Sequence, residues 1–321
     1  MKKTVFLFSG QGSHHFQMGR ALFDHNALFR TEMTCLDAIV RELAGRSVIE
    51  VLYADANQQS AAFDALELTH PAIFMVEYAL AQTLIAAGIK PDLCLGASLG
   101  SFAAATMAGF IDAEQALAAV IQQAAALEAC CEPGTLIAVL ADTAVFERER
   151  LSELAELAGV NFASHFVVST THDRAVEVEQ RLNASQIAFQ RLPVAFAFHS
   201  RWIDEAHTPF DSFARSLGTD GGTMPLVCCA QAAVLDALPE GFFWQAVRRP
   251  IRFGAAVEML EREHVCNYID LGPSGTLATF LRYLLPTERK PSIHAILSPF
   301  GNDQTRFNAL EAGWPQQLGR A

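Results

Sequence analysis

Short apolar runs that alternate with longer helical segments constrain this sequence more than any other feature. Residues 4–8 (TVFLF) and 93–96 (LCLG) are two such runs, and residues 267–272 (NYIDLG) form a third. Strands without polar alternation are buried on both faces, which is typical of parallel sheets covered by helices. The pattern therefore predicts an α/β fold with a mainly parallel sheet and helices on both of its faces.

A segment of different character begins after Glu132-Pro133-Gly134. Its predicted elements are a strand at 135–141, a charged helix at 145–158, a strand at 165–170, a helix at 175–185 and a strand at 187–194, with room for one more short strand near 159–163. This order is typical of a small α+β unit. We therefore expect a small ferredoxin-like subdomain over residues 134–196. Residues 1–133 and 197–321 would form the large, α/β-hydrolase-like parallel-sheet subdomain.

Composition excludes several classes of protein. The 321 residues are 51% hydrophobic and 18% charged, which is too apolar for disorder, yet no run of about 20 uncharged apolar residues could span a membrane. The apolar start ends at Phe8, too early for a signal peptide. A net charge of −12 disfavours nucleic acid. The seven cysteines lack metal-site spacing, so we expect reduced thiols, no metal and a cytoplasmic protein.

The residues Gly96-Ala97-Ser98-Leu99-Gly100 form a G-x-S-x-G motif directly after a predicted strand. Such a motif places serine on a sharp strand-to-helix turn, where the hydroxyl projects beyond the sheet edge. The N-terminus of the following helix favours developing negative charge. We therefore interpret Ser98 as a nucleophile. The structural alternative is a tight turn with a capping serine.

A serine nucleophile needs a base, because its hydroxyl is weak at neutral pH. His199 is our candidate, since it ends the apolar run AFAFH (195–199) at a predicted strand-to-helix junction. The alternative for His199 is a buried, hydrogen-bonded histidine without a catalytic role. On composition alone its rivals are His14, His15 and His207.

An oxyanion hole requires two donors aimed at one point. The backbone N–H of Leu99, directly after the serine, is the first candidate. Gln11, in the Gly10-Gln11-Gly12 loop after the first strand, is the second. Parallel sheets gather ligand sites at the carboxyl ends of their strands, so this loop could face Ser98.

Four motifs stand in one order: FSGQGS (8–13), GASLGS (96–101), AFHS (197–200) and DLGPSGTL (270–277). Together they resemble the malonyl-CoA:acyl-carrier-protein transacylase family, which includes the acyltransferase domains of polyketide synthases. The resemblance implies ping-pong acyl transfer through Ser98 and His199, with Gln11 and Leu99 as oxyanion donors. It also implies that a backbone carbonyl orients the histidine. That position falls on Ala246, with Gln245 one residue away.

The sequence departs from this family at the predicted acyl pocket, for which we name Gln123, Ala97 and Phe198. Members that load malonyl carry an arginine that pairs with the substrate carboxylate, and its position here is Gln123. A neutral amide cannot balance a buried carboxylate, so malonyl selection should be lost or weakened. Arg201 is a conceivable replacement. The family's histidine before the nucleophile is Ala97 here, and its glutamate after the motif is Ser101.

This sequence keeps the catalytic serine and histidine but lacks the arginine that binds the malonyl carboxylate. In this it resembles the acyl hydrolase branch found beside discrete acyltransferases of polyketide pathways. The leading hypothesis is therefore hydrolysis of acetyl or other short neutral acyl groups from acyl carrier protein, through acyl-Ser98 and water activated by His199. A transferase moving malonyl or a neutral acyl group from acyl-CoA to carrier protein is the alternative. An ordinary α/β-hydrolase esterase, using His264 or His294, and a non-catalytic carrier-binding scaffold are further alternatives.

The expected partner is an acyl carrier protein, whose phosphopantetheine arm is part of the substrate, so no separate cofactor is needed. Carrier proteins are generally acidic, and so is this chain. A docking surface should therefore be locally basic. We name Arg201, Arg248 and Arg249 for it, against the alternative that they are ordinary surface arginines. We expect a monomer.

Overall fold

A computed structural model describes residues 2–59 and 61–318. Its strands are β1 (Lys3–Phe8), β2 (Leu93–Gly96), β3 (Gly134–Val139), β4 (Glu156–Phe162), β5 (His165–Thr171), β6 (Phe189–Arg191), β7 (Leu226–Cys228), β8 (Ala233–Leu235), β9 (Cys266–Asp270) and β10 (Ile293–Ala295). Its α-helices are α1 (Arg20–His25), α2 (Ala27–Ala44), α3 (Val48–Leu52), α4 (Leu66–Ala86), α5 (Gly100–Met107), α6 (Ala113–Cys130), α7 (Ala144–Arg148), α8 (His172–Ala184), α9 (His207–Ala214), α10 (Phe242–Arg248), α11 (Phe253–Glu263), α12 (Thr276–Leu284) and α13 (Asp303–Leu318).

The large subdomain is built on a sheet with the strand order β10-β9-β1-β2-β7-β8. All neighbouring pairs are parallel except β7 and β8. In β1, Phe6 and Phe8 face one apolar core, while Val5 and Leu7 face the core on the other side of the sheet. All four side chains are fully buried. Burial on both faces explains the uninterrupted apolar runs, and the predicted α/β fold class is confirmed.

The small subdomain is an antiparallel sheet with the strand order β4-β5-β3-β6. With α7 between β3 and β4 and α8 between β5 and β6, it has the βαββαβ order of a ferredoxin-like fold. The predicted helix at 145–158 is wrong beyond Arg148. Arg150 takes a left-handed conformation (φ 53°), and residues 156–162 pair with β5 instead. Tertiary strand pairing here overrides the helical charge pattern.

The carboxyl ends of β1 and β2 bring two loops together. Phe8 and Gly96 are register partners in the parallel pair, so residues 9–12 and 97–99 leave the sheet side by side. At Gly100 a Cβ atom would overlap the Phe8 carbonyl, so only glycine permits this close approach. Among the described residues, no helix is both long and apolar enough to cross a membrane.

Candidate active site

Ser98 lies on the sharp turn between β2 and α5. Its φ of 56° is left-handed, a conformation that non-glycine residues rarely adopt outside constrained sites. The side chain is 8% exposed, so the hydroxyl faces a confined space rather than open solvent. The strand–turn–helix context predicted for the G-x-S-x-G motif is present.

The Ser98 hydroxyl and the His199 imidazole are directly hydrogen bonded. Ser98 Oγ lies 2.8 Å from His199 Nε2, and His199 Nδ1 lies 2.7 Å from the Arg249 carbonyl oxygen. A carbonyl oxygen can only accept, so Nδ1 carries the proton and Nε2 is free to accept from Ser98. His199 also has a left-handed φ, 61°. This tautomer is the one that a base for Ser98 requires.

Burial keeps the His199 imidazole neutral. Desolvation, together with the nearby Arg248 cation, outweighs the opposing Arg249 carbonyl and lowers the pKa of His199 from 6.5 to about 4. A charged imidazolium is disfavoured away from water because it loses its solvation. At neutral pH the side chain is therefore an unprotonated base.

The carbonyl that orients His199 is not the one that the resemblance implied. Arg249 supplies it, rather than Ala246 or Gln245. The Gln245 carbonyl accepts the Arg249 N–H at 2.9 Å inside the last turn of α10. Arg249 is the C-cap in an extended conformation (φ −81°, ψ 150°), which turns its own carbonyl away from the helix axis. A residue before proline favours this conformation, and Pro250 follows.

The loop after β1 reaches the nucleophile, as expected for an oxyanion hole. A Cβ atom on Gly10 would lie 2.7 Å from Ser98 Cβ, so the loop backbone passes directly beside the serine. Within the described residues, neither the Gln11 N–H nor the Leu99 N–H has a hydrogen-bond acceptor. Both amides are therefore available to a substrate oxygen.

A buried carboxyl that we did not predict anchors this loop. Glu77 Oε1 accepts the Ser9 N–H at 2.6 Å and the Ser9 hydroxyl at 2.9 Å. Burial raises the pKa of Glu77 well above its usual value, and the nearby Asp270 carboxyl raises it further. The sequence signal was a lone glutamate in the otherwise apolar run 72–81 of α4.

A cavity of about 670 Å³ opens in front of Ser98 and His199, between the two subdomains. Ala97, Phe198 and Gln11 line it, as predicted for the first two. None of its described lining residues is arginine or lysine. Its volume suits an organic ligand larger than an acetyl group alone.

Gln123 is not among the residues that line this cavity. It is fully buried on α6, and neither atom of its side-chain amide has a hydrogen-bond partner among the described residues. Arg201, the conceivable replacement for the missing cation, is not a lining residue either. Its side chain is 61% exposed and lies 3.4 Å from Glu156. Among the described residues that line the cavity, no cation thus replaces the arginine expected at position 123.

His70 is a second buried polar group that sequence reasoning missed. Both ring nitrogens lack partners among the described residues, and the ring centroid lies 5.8 Å from that of Phe198. Burial lowers the pKa of His70 to about 3, so the ring is neutral. Its sequence signal was a histidine heading the apolar stretch of α4.

Gln123 and His70 lie on two helices that contact each other, α6 and α4. Glu128, near the end of α6, accepts the N–H of Leu66 at the start of α4, so the two helices run in opposite directions. Gln123 precedes Glu128 by five residues and His70 follows Leu66 by four, about 6–8 Å along each axis. The His70 ring beside Phe198 and the Gln123 amide are thus both buried polar groups without charge.

The three arginines named for docking are largely engaged. Arg248 pairs with Asp204, and Arg201 pairs with Glu156 and lies over the Trp202 ring. The Arg249 side chain donates to Gln245 Oε1 at 2.7 Å. Two of the three charges are thus balanced by carboxylates within this chain.

The rival histidines have other partners. His14 contacts the Phe63 carbonyl, His15 the Phe16 carbonyl, and His207 stacks on Trp244. The two late histidines of the esterase alternative are also elsewhere. His264 is near Glu263, and His294 is near the Trp314 ring. Among the described residues, His199 is the histidine hydrogen bonded to Ser98.

Comparisons with known proteins agree with this geometry. A family model described as the acyl transferase domain matches residues 5–270. The chain is 40% identical over 308 residues to the polyketide biosynthesis acyltransferase homolog PksD of Bacillus subtilis, covering 96% of this chain and 95% of that protein. It is 41% identical over 308 residues, with the same coverage of both chains, to the homolog BaeD of Bacillus velezensis.

A solved structure extends the similarity to the fold. The acyltransferase domain from the second module of the salinomycin polyketide synthase superposes with a TM-score of 0.86 at 27% identity, covering 98% of this chain and 73% of that one. The resemblance inferred from the four motifs is confirmed. The chain belongs to the acyl transferase domain family.

Proposed function

We propose that this protein hydrolyses neutral acyl groups, such as acetyl, from acyl carrier protein through an acyl-Ser98 intermediate. The observation that carries the proposal is an aligned Ser98–His199 pair facing a cavity whose described lining holds no arginine or lysine. The family membership and the polyketide relatives support the substrate class. No metal or separate cofactor takes part, and the protein acts in the cytoplasm as a monomer.

In the first half-reaction the pantetheine thioester enters the cavity. His199 Nε2 accepts the proton of Ser98 as Oγ attacks the thioester carbonyl carbon. The N–H groups of Gln11 and Leu99 stabilise the resulting oxyanion. The C–S bond then breaks, and the pantetheine sulfur leaves with the proton that His199 returns.

In the second half-reaction water takes the place of the thiol. Its oxygen attacks the acyl carbonyl carbon while His199 Nε2 accepts its proton. The bond between the acyl carbon and Ser98 Oγ breaks, and His199 returns the proton to Ser98. The products are a free carboxylic acid and the free carrier protein.

Incubation of the purified protein with acetyl- and malonyl-loaded carrier protein tests this function. We expect release of free acetate and much slower release of malonate. Ser98→Ala should abolish both the acyl-enzyme, seen by intact mass, and the hydrolysis. His199→Ala should lower turnover by about 10²–10⁴-fold, the usual contribution of a general base.

Three outcomes would instead favour the other candidate functions. Transfer of malonyl from CoA to carrier protein without release of free acid would favour a transferase. Full activity of His199→Ala would favour an esterase with another base. Undiminished biological function of Ser98→Ala would favour a scaffold.

The Gln123→Arg variant tests the argument that the missing arginine prevents selection of malonyl. A cation at this buried position is costly alone, and the malonyl carboxylate balances it only where the longer arginine side chain reaches the cavity that Gln123 itself does not line. We therefore expect malonyl acylation of Ser98 to rise relative to acetyl acylation. Gln115→Arg, at a half-buried position on the first turn of the same helix, serves as the matched control and should change neither acylation.

A further inference from the structure

Most arginines of this acidic chain, with its net charge of −12, are already engaged. Arg248 and Arg289, for example, pair with Asp204 and Glu261. Among the arginines of residues 2–59 and 61–318, Arg282 and Arg306 are the ones whose side chains make no hydrogen bond, ion pair or ring contact. Unpaired cations on an acidic protein are available to an external anion without breaking an existing ion pair.

Arg282 and Arg306 line the same second cavity, of about 630 Å³, between α12, β10 and α13. Arg282 is exposed on α12, and Arg306 is half-buried on α13. The carboxyl of Asp303, one turn before Arg306, is buried and interacts with Arg306 electrostatically without forming an ion pair. Phe300 also lines this cavity and is 88% exposed, which is unusual for a large aromatic side chain.

The second cavity adjoins the catalytic one across helix α12. Thr279 lines both cavities, so the first turns of α12 form the wall between them. Tyr283, the residue after Arg282, lines the catalytic cavity and is 71% exposed, which places it at that cavity's mouth. A macromolecule bound at Arg282 therefore lies beside the entrance to Ser98.

We propose that Arg282, Arg306 and Phe300 form the docking surface for an acidic partner protein. The identification of this partner rests on the proposed function: it is the acyl carrier protein whose thioester enters beside Tyr283. A chain of net charge −12 repels an acidic protein at long range, so association needs a local cationic patch. Guanidinium groups bind carboxylates bidentately, and an exposed aromatic ring supplies apolar contact area.

This surface differs from the one we named from the sequence. Arg201 and Arg248 would have to exchange Glu156 and Asp204 for a partner's carboxylates, with little net gain. Arg282 and Arg306 form no ion pair among the described residues, and the carboxyls that interact with them electrostatically, Asp270 and Asp303, are both buried. The charge distribution therefore favours the α12–α13 side of the entrance.

Charge reversal tests the surface. We would compare Arg282→Glu, Arg306→Glu and the double variant with Arg215→Glu, which makes the same charge change on an exposed, ion-paired arginine that lines neither cavity. The substrates are acetyl-carrier protein, acetyl-CoA and acetyl-pantetheine. Calorimetry on a Ser98→Ala background, with and without the double reversal, measures carrier binding without turnover.

We expect the double variant to lower kcat/KM for acetyl-carrier protein by at least about tenfold, an effect that shrinks as salt screens the charges. Acetyl-pantetheine and acetyl-CoA should be unaffected, and Arg215→Glu should behave as the unmodified protein. Equal loss on all three substrates would mean a structural role. A loss of kcat/KM for acetyl-CoA as well as acetyl-carrier protein would mean that the arginines bind a phosphate group. No loss for any substrate would mean that they have no role in binding. Each of these outcomes overturns the docking surface.

The binding experiment separates this inference from the proposed function. If no substrate is hydrolysed, yet the double reversal weakens carrier binding at least about tenfold, the docking surface stands and the hydrolase proposal fails. If hydrolysis proceeds and the double reversal leaves carrier binding intact, the docking surface fails and the hydrolase proposal stands.

Discussion

Replacing Gln123 by leucine tests whether its buried, unpartnered amide lowers the stability of the protein. The side chain is 0% exposed, and both amide atoms lack partners among the described residues. A buried polar group without a partner costs about 1–3 kcal/mol, and leucine of similar volume removes that cost. We therefore expect Gln123→Leu to raise the free energy of unfolding by about 1–3 kcal/mol.

Chemical denaturation of both proteins, with fitted midpoints and slopes, measures this difference. A thermal shift of about 2–4 °C per kcal/mol would accompany it. Gln115→Leu on the same helix is the matched control, because Gln115 Oε1 accepts the Gly218 N–H at 2.6 Å. That variant should lose about 0.5–1.5 kcal/mol.

Gln123 is not among the residues that line the catalytic cavity, so Gln123→Leu should hardly change the hydrolysis of acetyl or 3-hydroxyacyl groups. Slower hydrolysis of the 3-hydroxyacyl group alone would mean that the amide reaches the bound acyl chain. Destabilisation by more than about 1 kcal/mol would refute the reasoning, because it would mean that the amide makes a structural hydrogen bond.

Three further changes test other parts of the site. Because the pKa of His199 is lowered to about 4, this base stays unprotonated as the pH falls towards that value. The pH profile of kcat/KM should therefore decline only near pH 4. A decline centred near pH 6.5 would contradict this. Gly10→Ala places a Cβ 2.7 Å from Ser98 Cβ, so activity should fall about 10²-fold or more while circular dichroism stays unchanged; full activity would mean that the loop can move away. Glu77→Gln keeps the acceptor for Ser9 and should change the free energy of unfolding little, whereas Glu77→Ala should cost about 1–3 kcal/mol by denaturation; equal effects would exclude this anchoring role.

The sequence was most informative where local geometry is demanding. The buried strands were predictable because a doubly covered sheet requires apolar side chains on both faces, as in β1. The serine turn was predictable because its glycine neighbours are sterically required, as at Gly100. His199 was only one of ten histidines until its motif was considered with the other three motifs.

Contacts that depend on tertiary placement were not predictable. The charge pattern of 145–158 suits a solvated helix, yet pairing with β5 makes 156–162 a strand. The docking arginines looked free in sequence, but their partners Glu156 and Asp204 are distant along the chain. The Arg249 carbonyl was not predicted because the family's spacing before Pro250 placed the orienting carbonyl on Ala246, whereas the extended residue directly before Pro250 turns its own carbonyl out of the helix.

The neutral cavity and the neutral base together suggest how substrates are selected. A malonyl carboxylate near Ser98 would be buried with no arginine or lysine among the described lining residues. Leaving a buried charge without its partner costs about 3–5 kcal/mol, which corresponds to discrimination of about 10²–10⁴-fold against malonyl. No attractive contact to acetyl is needed for this preference. Because selection rests on the cost of burying an unpaired carboxylate, the cavity can accept many neutral acyl groups. The missing cation disfavours only the charged ones.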